Sequence, residues 1–235
     1  MNTSKTELLW CTTTRRQHLL PRSALRISAD AITPSTTVRD LGIFIDADLS
    51  MCSHVQQTVA GCFALLQQLQ GIRRSVPSSV VQTLVVALVL SRLDYGNAML
   101  VGLPANLLNR LQSVLNAASA AAARSVAGLR RSDNITDTLA SFRWLRAPER
   151  IKFKLAVIVY RGVHGIAPRY LSDLLHHVPN ITSRHCLRSS TSSELVIPLS
   201  RLVTVSDRSF AVAGPRLWNT LPEDITSAPS LLVFR

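Results

Sequence analysis

Two aspartates, Asp46 and Asp48, form a close acidic pair at the end of a predicted strand. Alternate residues of a strand share one face, so two such carboxylates can converge on divalent ions, as two-metal catalysis requires. A helix is predicted to begin just after Asp48, and acidic residues are common around a first helical turn because of the helix dipole. The sequence therefore favours a capping or turn role for the pair over a metal site.

Four potential zinc ligands lie close together in the sequence: His176, His177, His185 and Cys186. Their spacing fits no structural zinc pattern, and a second pair of cysteines is missing. Loop histidines beside arginines more often contact solvent or phosphate, and we predict no metal site here. The sequence also has no nucleophile elbow and no phosphate-binding glycine loop, so it shows no catalytic machinery of its own.

Basic side chains supply the strongest chemical signal in the chain. The 235 residues contain 26 Lys and Arg against 14 Asp and Glu, a formal net charge of +12, and the only lysines are Lys5, Lys152 and Lys154. Guanidinium groups bind phosphate through two hydrogen bonds and are weakly hydrated, so this bias suits a polyanionic partner. An ordinary solvated basic surface is the alternative that composition leaves open.

The predicted phosphate contacts lie at helix ends or on helix faces: Arg73, Arg74, Arg130, Arg131, Arg150, Lys154 and Arg161. The last three are offset by four and seven residues, which places them on one face of a helix. Such a row can follow a nucleic-acid backbone and give salt-sensitive affinity. A solvated helix face explains the same spacing equally well.

The first fifty residues predict short strands and turns. Leu8–Thr13 is one strand candidate, and Val38–Asp46 is another, with Gly42 inside it marking a bulge or a close backbone approach. So small a β segment cannot form a stable sheet alone and needs further strands.

From Met51 the apolar residues recur at helical spacing. The pattern predicts helices over 51–72, from Ser75 or Pro77 to about Asn97, from Leu107 to Val126, from Ala147 to about Val163, and over 168–175. A short helix is also predicted to end at Leu139. Residues Leu195–Leu199 and Phe210–Val212 are extended candidates, and Pro215–Leu221 is one helical turn.

These patterns predict a mainly α chain with a short β remnant, a helical bundle and an irregular C-terminal region. We expect these three regions to cover residues 1–50, 51–178 and 179–235, in that order. The four cysteines have no paired spacing, and no signal peptide or apolar run of membrane-spanning length is evident. The sequence therefore predicts an intracellular chain without disulfides or a membrane partner, in the cytoplasm or the nucleus.

Several strings, in order along the whole chain, resemble the reverse transcriptases of non-LTR retrotransposons, the jockey-type elements most of all. They begin with Asn2–Glu7 and Val38–Asp46. Ser91–Asn97 and Gly102–Pro104 follow. The remainder are Leu111–Gln112 with Asn116–Ala118, Trp144–Leu145, Arg150–Leu155, Ala167–Leu171, Leu187–Ser189 and Gly214–Pro222. Each string is weak alone, and the ordered set is specific.

This resemblance implies an RNA-directed DNA polymerase in which the first fifty residues are the end of the palm and the next helices are the thumb. It implies that Lys5 matches the lysine that protonates the leaving pyrophosphate, and that Leu41-Gly42 matches the turn that steadies the primer end. The paired aspartates that bind Mg²⁺ in the family precede the matching segment. We therefore expect contact with the backbone of an RNA or DNA template–primer and no nucleotide addition by this chain alone. The alternative is a non-catalytic module that binds nucleic acid through its arginines, or one that binds protein and self-associates through an exposed apolar palm remnant.

Overall fold

The computed structural model describes residues 5–27, 30–73, 75–126, 144–178, 193–199 and 205–234. It is mainly helical, which confirms the predicted fold class at that level. Two compact units are present, the first formed by residues 1–95 and 103–144 and the second by 96–102 and 145–235. The predicted domain boundaries at residues 50 and 178 stay a prediction. In the described part of the chain, no helix combines the length and apolar character that a membrane crossing needs.

The β structure of the first unit consists, in the described residues, of three two-stranded sheets. Strands β1 (Leu8–Leu9) and β4 (Pro34–Ser35) pair in parallel, and β2 (Leu25–Ile27) pairs antiparallel with β3 (Asp30–Ile32). Strands β5 (Thr37–Asp40) and β6 (Ile43–Asp46) form an antiparallel hairpin, with Asp40 opposite Ile43. A 3₁₀ helix, Thr14–Leu19, occupies part of the region between β1 and β2. Sheets this small depend on packing against other elements.

The hairpin corrects the prediction of a single strand over 38–46. Among the described residues, Gly42 marks neither a bulge nor a close approach of another backbone. It lies with Leu41 in a two-residue turn, and both residues have a positive φ. The backbone twist of a turn with two positive φ values matches the twist of the two flanking strands, which explains why a hairpin forms here.

Helix α1 (Cys52–Ile72) forms because its apolar residues recur every three or four positions. Five of these apolar residues are buried: Val55, Val59, Cys62, Leu66 and Leu69. Phe63 and Ile72, which have the same spacing, are exposed. Helix α1 packs against α4 (Ala105–Val126), where Ala118, Ala121, Ala122 and Ala123 are buried.

The second predicted helix of this unit is divided. Helix α2 (Ser78–Leu84) continues as a π-helical segment, Val85–Leu90, and ends as α3 (Ser91–Asp94). In the π segment the Ser91 N–H donates to the Val86 carbonyl, five residues back. The short 3₁₀ helix Asn97–Leu100 follows and belongs to the second unit.

The second unit is built around α5 (Ala147–Val163), at the predicted position. Glu149 accepts a hydrogen bond of 2.9 Å from the Arg146 N–H, which satisfies a donor at the beginning of the helix. At its end, the Gly165 and Ile166 N–H groups donate to the Gly162 and Arg161 carbonyls. Gly165 has a φ of +67°, the left-handed conformation that this helix ending requires.

Helices α6 (Arg169–Ser172), α7 (Phe210–Trp218), α8 (Glu223–Thr226) and α9 (Leu231–Phe234) complete the unit. The extended prediction for Phe210–Val212 is wrong, because these residues begin α7. Their core includes Tyr160, Trp218 and Phe234, and the Tyr160 hydroxyl donates to the Ala228 carbonyl at 2.9 Å. The predicted helix ending at Leu139 lies outside the described residues.

Candidate nucleic-acid interface

The turn between β5 and β6 carries two of the predicted contact residues. Leu41 has a φ of +44° and Gly42 a φ of +86°. The Leu41 side chain is 84% exposed, so the apolar group lies at the tip of the hairpin rather than in a core. The Tyr95 hydroxyl donates a hydrogen bond to the Leu41 carbonyl, and the Tyr95 ring lies beside Gly42. The resemblance identified Leu41 and Gly42 as candidates but gave no role to Tyr95, which lies 54 residues away.

Helix α5 positions the predicted row of cations, which we call the α5 basic row: Arg150, Lys154 and Arg161. At about 100° per residue the three lie within roughly 40° of one another around the helix axis. Core residues surround the middle of α5: Val159 lies opposite the row, and Val157 lies within it, between Lys154 and Arg161, and is buried. Lys154 and Arg161 are exposed, and Arg150 is half-buried in the first turn. The structure thus brings the three predicted residues onto one face, at successive axial distances of about 6 and 10 Å.

Of the other predicted contacts, the structure describes Lys5 and Arg73. Lys5 is exposed at the beginning of the described residues, and Arg73 is half-buried directly after α1. Arg74, Arg130 and Arg131 lie outside the described residues. Lys152, on α5 but about 160° from the row, is also exposed.

Asp46 links the hairpin to α1 as a cap. Its carboxylate accepts hydrogen bonds from the Thr37 hydroxyl (3.1 Å), the Ser50 hydroxyl (3.2 Å) and the Ser53 N–H (3.1 Å). The Ser53 N–H belongs to the first turn of α1, so the capping interpretation is confirmed for Asp46. Leu49 and Met51, with φ values of +56° and +62°, turn the chain between strand and helix.

Asp48 is held in the same connection. It accepts hydrogen bonds from the Ser50 N–H (3.0 Å) and the Thr14 hydroxyl (3.2 Å). Partial burial opposes ionisation, but the hydrogen bonds from Ser50 and Thr14 outweigh it, and the pKa of Asp48 lies below its ordinary value. N–H and O–H donors from the strand, the connection and the start of α1 thus point at both aspartates, as a capping or turn role requires.

The predicted histidine cluster is described only in part. His177 is half-buried, and its backbone pairs antiparallel with Leu195. Burial, and secondarily His164, lower the pKa of His177. His185 and Cys186 lie outside the described residues. Among the described residues, no three His, Cys, Asp or Glu side chains lie close enough together to hold a metal ion.

The surface of α1 differs sharply from the basic row. Between Met51 and Ser91 the charged residues are Arg73 and Arg74, apart from His54, and none falls within α1 or α2. Between Gln56 and Gln70 the exposed residues of α1 are five glutamines, two alanines and Phe63: Gln56, Gln57, Ala60, Phe63, Ala64, Gln67, Gln68 and Gln70. We call this the neutral face of α1. Its lack of charge was readable in the sequence, but the periodicity argument used only the apolar positions.

Comparison of the chain with protein-family models, curated proteins and solved structures gave no match.

Proposed function

We propose that this chain is the template–primer-gripping part of a non-LTR retrotransposon reverse transcriptase and that it does not add nucleotides by itself. The α5 basic row carries the proposal. Three cations lie along one stripe of a single helix, with Lys154 and Arg161 exposed, and such a row suits a polyanion. Basic side chains outnumber acidic ones by 12, so intramolecular ion pairs cannot neutralise the surface.

The dimensions of the row suit a nucleic-acid backbone. Arg150 and Arg161 are separated by about 16 Å along the helix axis. In a duplex, one strand places a phosphate about every 3.4 Å along its axis, so this length corresponds to about five successive phosphates. Contacts of this kind position a duplex without reading its sequence, as a polymerase needs for any template.

The hairpin turn supports the same function at a second place. An exposed leucine in a left-handed conformation is unfavourable, and such outliers cluster at binding sites. The resemblance of Val38–Asp46 to the segment that steadies the primer end gives this turn a partner, the end of the nucleic acid. Lys5 and Mg²⁺ belong to the same proposed function only in the presence of the family's metal-binding aspartates.

The test is duplex binding as a function of salt. In a mobility-shift series, log affinity is expected to fall with log salt concentration. In Arg150→Gln/Lys154→Gln/Arg161→Gln, the magnitude of that slope is expected to fall by about 3. The matched control is Lys152→Gln, on the same helix but outside the row, which should leave the slope unchanged. An unchanged slope in the triple variant, or no binding at low salt, rejects the proposal.

A second candidate, a protein-interaction module, is favoured by the neutral face of α1. Surfaces of monomeric domains are rich in charge, whereas interface cores are depleted of it. Glutamine amides both donate and accept hydrogen bonds, so two copies of this face are chemically complementary despite the net charge of +12. Sedimentation equilibrium should then show self-association that Ala64→Glu abolishes and that Asn109→Glu, on an exposed part of α4, leaves intact. A monomer at all concentrations removes this candidate.

A further inference from the structure

The turn at Leu41-Gly42 has a backbone conformation that is unfavourable for Leu41. A two-residue hairpin with positive φ at both central positions usually carries asparagine, aspartate or glycine at the first of them. Here that position is Leu41, a γ-branched residue with a φ of +44°, and its exposed side chain makes no use of the core. Burial of this side chain therefore does not stabilise the conformation.

A less strained turn is available to the same residues. In a type II turn the first central residue has a φ near −60° and only the second has a positive φ, which Gly42 supplies without cost. The two turn types share the conformation of Gly42 and differ in the φ and ψ of Leu41. A contact at the Leu41 carbonyl therefore restrains the residue whose conformation differs.

Tyr95 makes that contact. Its hydroxyl donates to the Leu41 carbonyl, which is the oxygen of the central peptide group. Its ring lies along Gly42, so that a Cβ added there would be 3.4 Å from Tyr95 Cε1. Tyr95 directly follows α3, and the Tyr95 side chain is 52% exposed. A helix end and a hairpin tip are thus joined through one phenol.

We propose that Tyr95 is a positioning residue, which fixes the central peptide of the turn and so presents Leu41 and Gly42 to bound nucleic acid. The conformational part follows from the contacts alone, and the binding part rests on the proposed function. A turn that is fixed before binding loses less conformational entropy when it makes its contact. The structure assigns Tyr95 this role because its hydroxyl acts on the peptide group rather than on a side chain.

The experiment compares Tyr95→Phe, which removes only the hydroxyl, with the wild-type chain. Hydrogen exchange of the amides of residues 41–43 is expected to rise about tenfold in the variant. Two nucleic acids serve as binding probes, a primer–template with a recessed end and a duplex closed by loops at both ends. Tyr95→Phe should lose several-fold affinity for the recessed end while its affinity for the closed duplex stays unchanged. The matched control is Tyr170→Phe, a tyrosine 69% exposed in the other unit, which should alter neither measurement.

A rescue variant separates positioning from general stability. Asparagine tolerates a positive φ, so Leu41→Asn in the Tyr95→Phe background should restore slow exchange in the turn. Wild-type exchange in Tyr95→Phe overturns the proposal entirely. Faster exchange with an unchanged preference for the recessed end overturns the binding part. If the wild-type chain binds neither nucleic acid, the proposed function and the positioning role both fall, and only the turn contact stands.

Discussion

His54 is a buried group at the beginning of α1, with a side chain only 5% exposed. Its Nδ1 atom has no hydrogen-bond partner among the described residues. Burial disfavours the charged imidazolium and lowers the pKa of His54 from its ordinary value of 6.5, although the Asp46 carboxylate opposes the change. The neutral imidazole is therefore the form that the folded chain accommodates.

This burial predicts a pH-dependent loss of stability. The folded pKa lies below the unfolded one, so the contribution of His54 is fully present above pH 6.5. It is lost as the pH falls from 6.5 towards the lowered folded pKa, by at most about 1.4 kcal/mol for each pH unit. Urea unfolding at pH 7.5 and pH 5.5 should show a smaller difference in His54→Leu than in the wild-type chain. An identical difference in both chains contradicts the prediction, and the exposed His18→Gln serves as the control.

At the scale of elements, one amide ties a loop segment to α7. The Asn219 side chain accepts a hydrogen bond from the Leu195 N–H and donates one to the Leu195 carbonyl, both at 2.9 Å. Leu195 is buried, so its backbone N–H and carbonyl lose their hydrogen bonds to water when the unit folds. The neighbouring Trp218 indole donates to the Ser193 carbonyl at 3.1 Å, which holds the same segment.

Asn219→Ala should therefore be costly. It leaves a buried N–H and a buried carbonyl without partners, and we expect a loss of about 2–4 kcal/mol in the free energy of unfolding. Denaturant titration measures the loss. Asn109→Ala, an exposed site on α4, is the matched control and should change stability by less than about 0.5 kcal/mol. Equal effects of the two substitutions would show that the bonds to Leu195 contribute little.

The elements differ in how far local pattern determines them. Helices α1, α4 and α5 were predictable because each has a long apolar stripe and, in α5, a proline and a glutamate at its beginning. The hairpin was missed because leucine at its first turn position carries no turn signal. Helix α7 was missed at Phe210 because a nine-residue helix with an internal proline depends on distant contacts around Tyr160 and Trp218.

At the site, too, local sequence pattern accounts for only part of the arrangement. Spacing alone placed Arg150, Lys154 and Arg161 on one helix face, since that follows from the helix repeat. No periodicity connects Tyr95 with Leu41, because their contact spans 54 residues and depends on how the helices fold back onto the hairpin. The neutral face of α1 was visible in composition, but only the structure separates its exposed positions from its buried ones.

For the molecule as a whole, we expect no nucleotide addition. Asp46 and Asp48 accept hydrogen bonds that hold the connection between β6 and α1, whereas nucleotide transfer needs carboxylates that converge on two divalent ions. Purified chain given primer–template, Mg²⁺ and deoxynucleotides should leave the primer unextended, as read on a denaturing gel. Metal-dependent extension that Asp46→Asn abolishes would contradict this expectation.

The π-helical segment Val85–Leu90 makes the chain tolerant of a change in length. In this segment an N–H donates to the carbonyl five residues back, whereas in an α-helix it donates to the carbonyl four residues back. The turn therefore contains one more residue than an α-helical turn does. Deletion of Ala87 can therefore convert the segment into ordinary α-helix without displacing Tyr95, and the thermal midpoint should be kept or raised. Deletion of Asn109 from α4 should instead unfold the unit, because it rotates every later buried side chain by about 100°. A residue can thus be inserted or lost in this segment while the helical segments on either side keep the same faces buried.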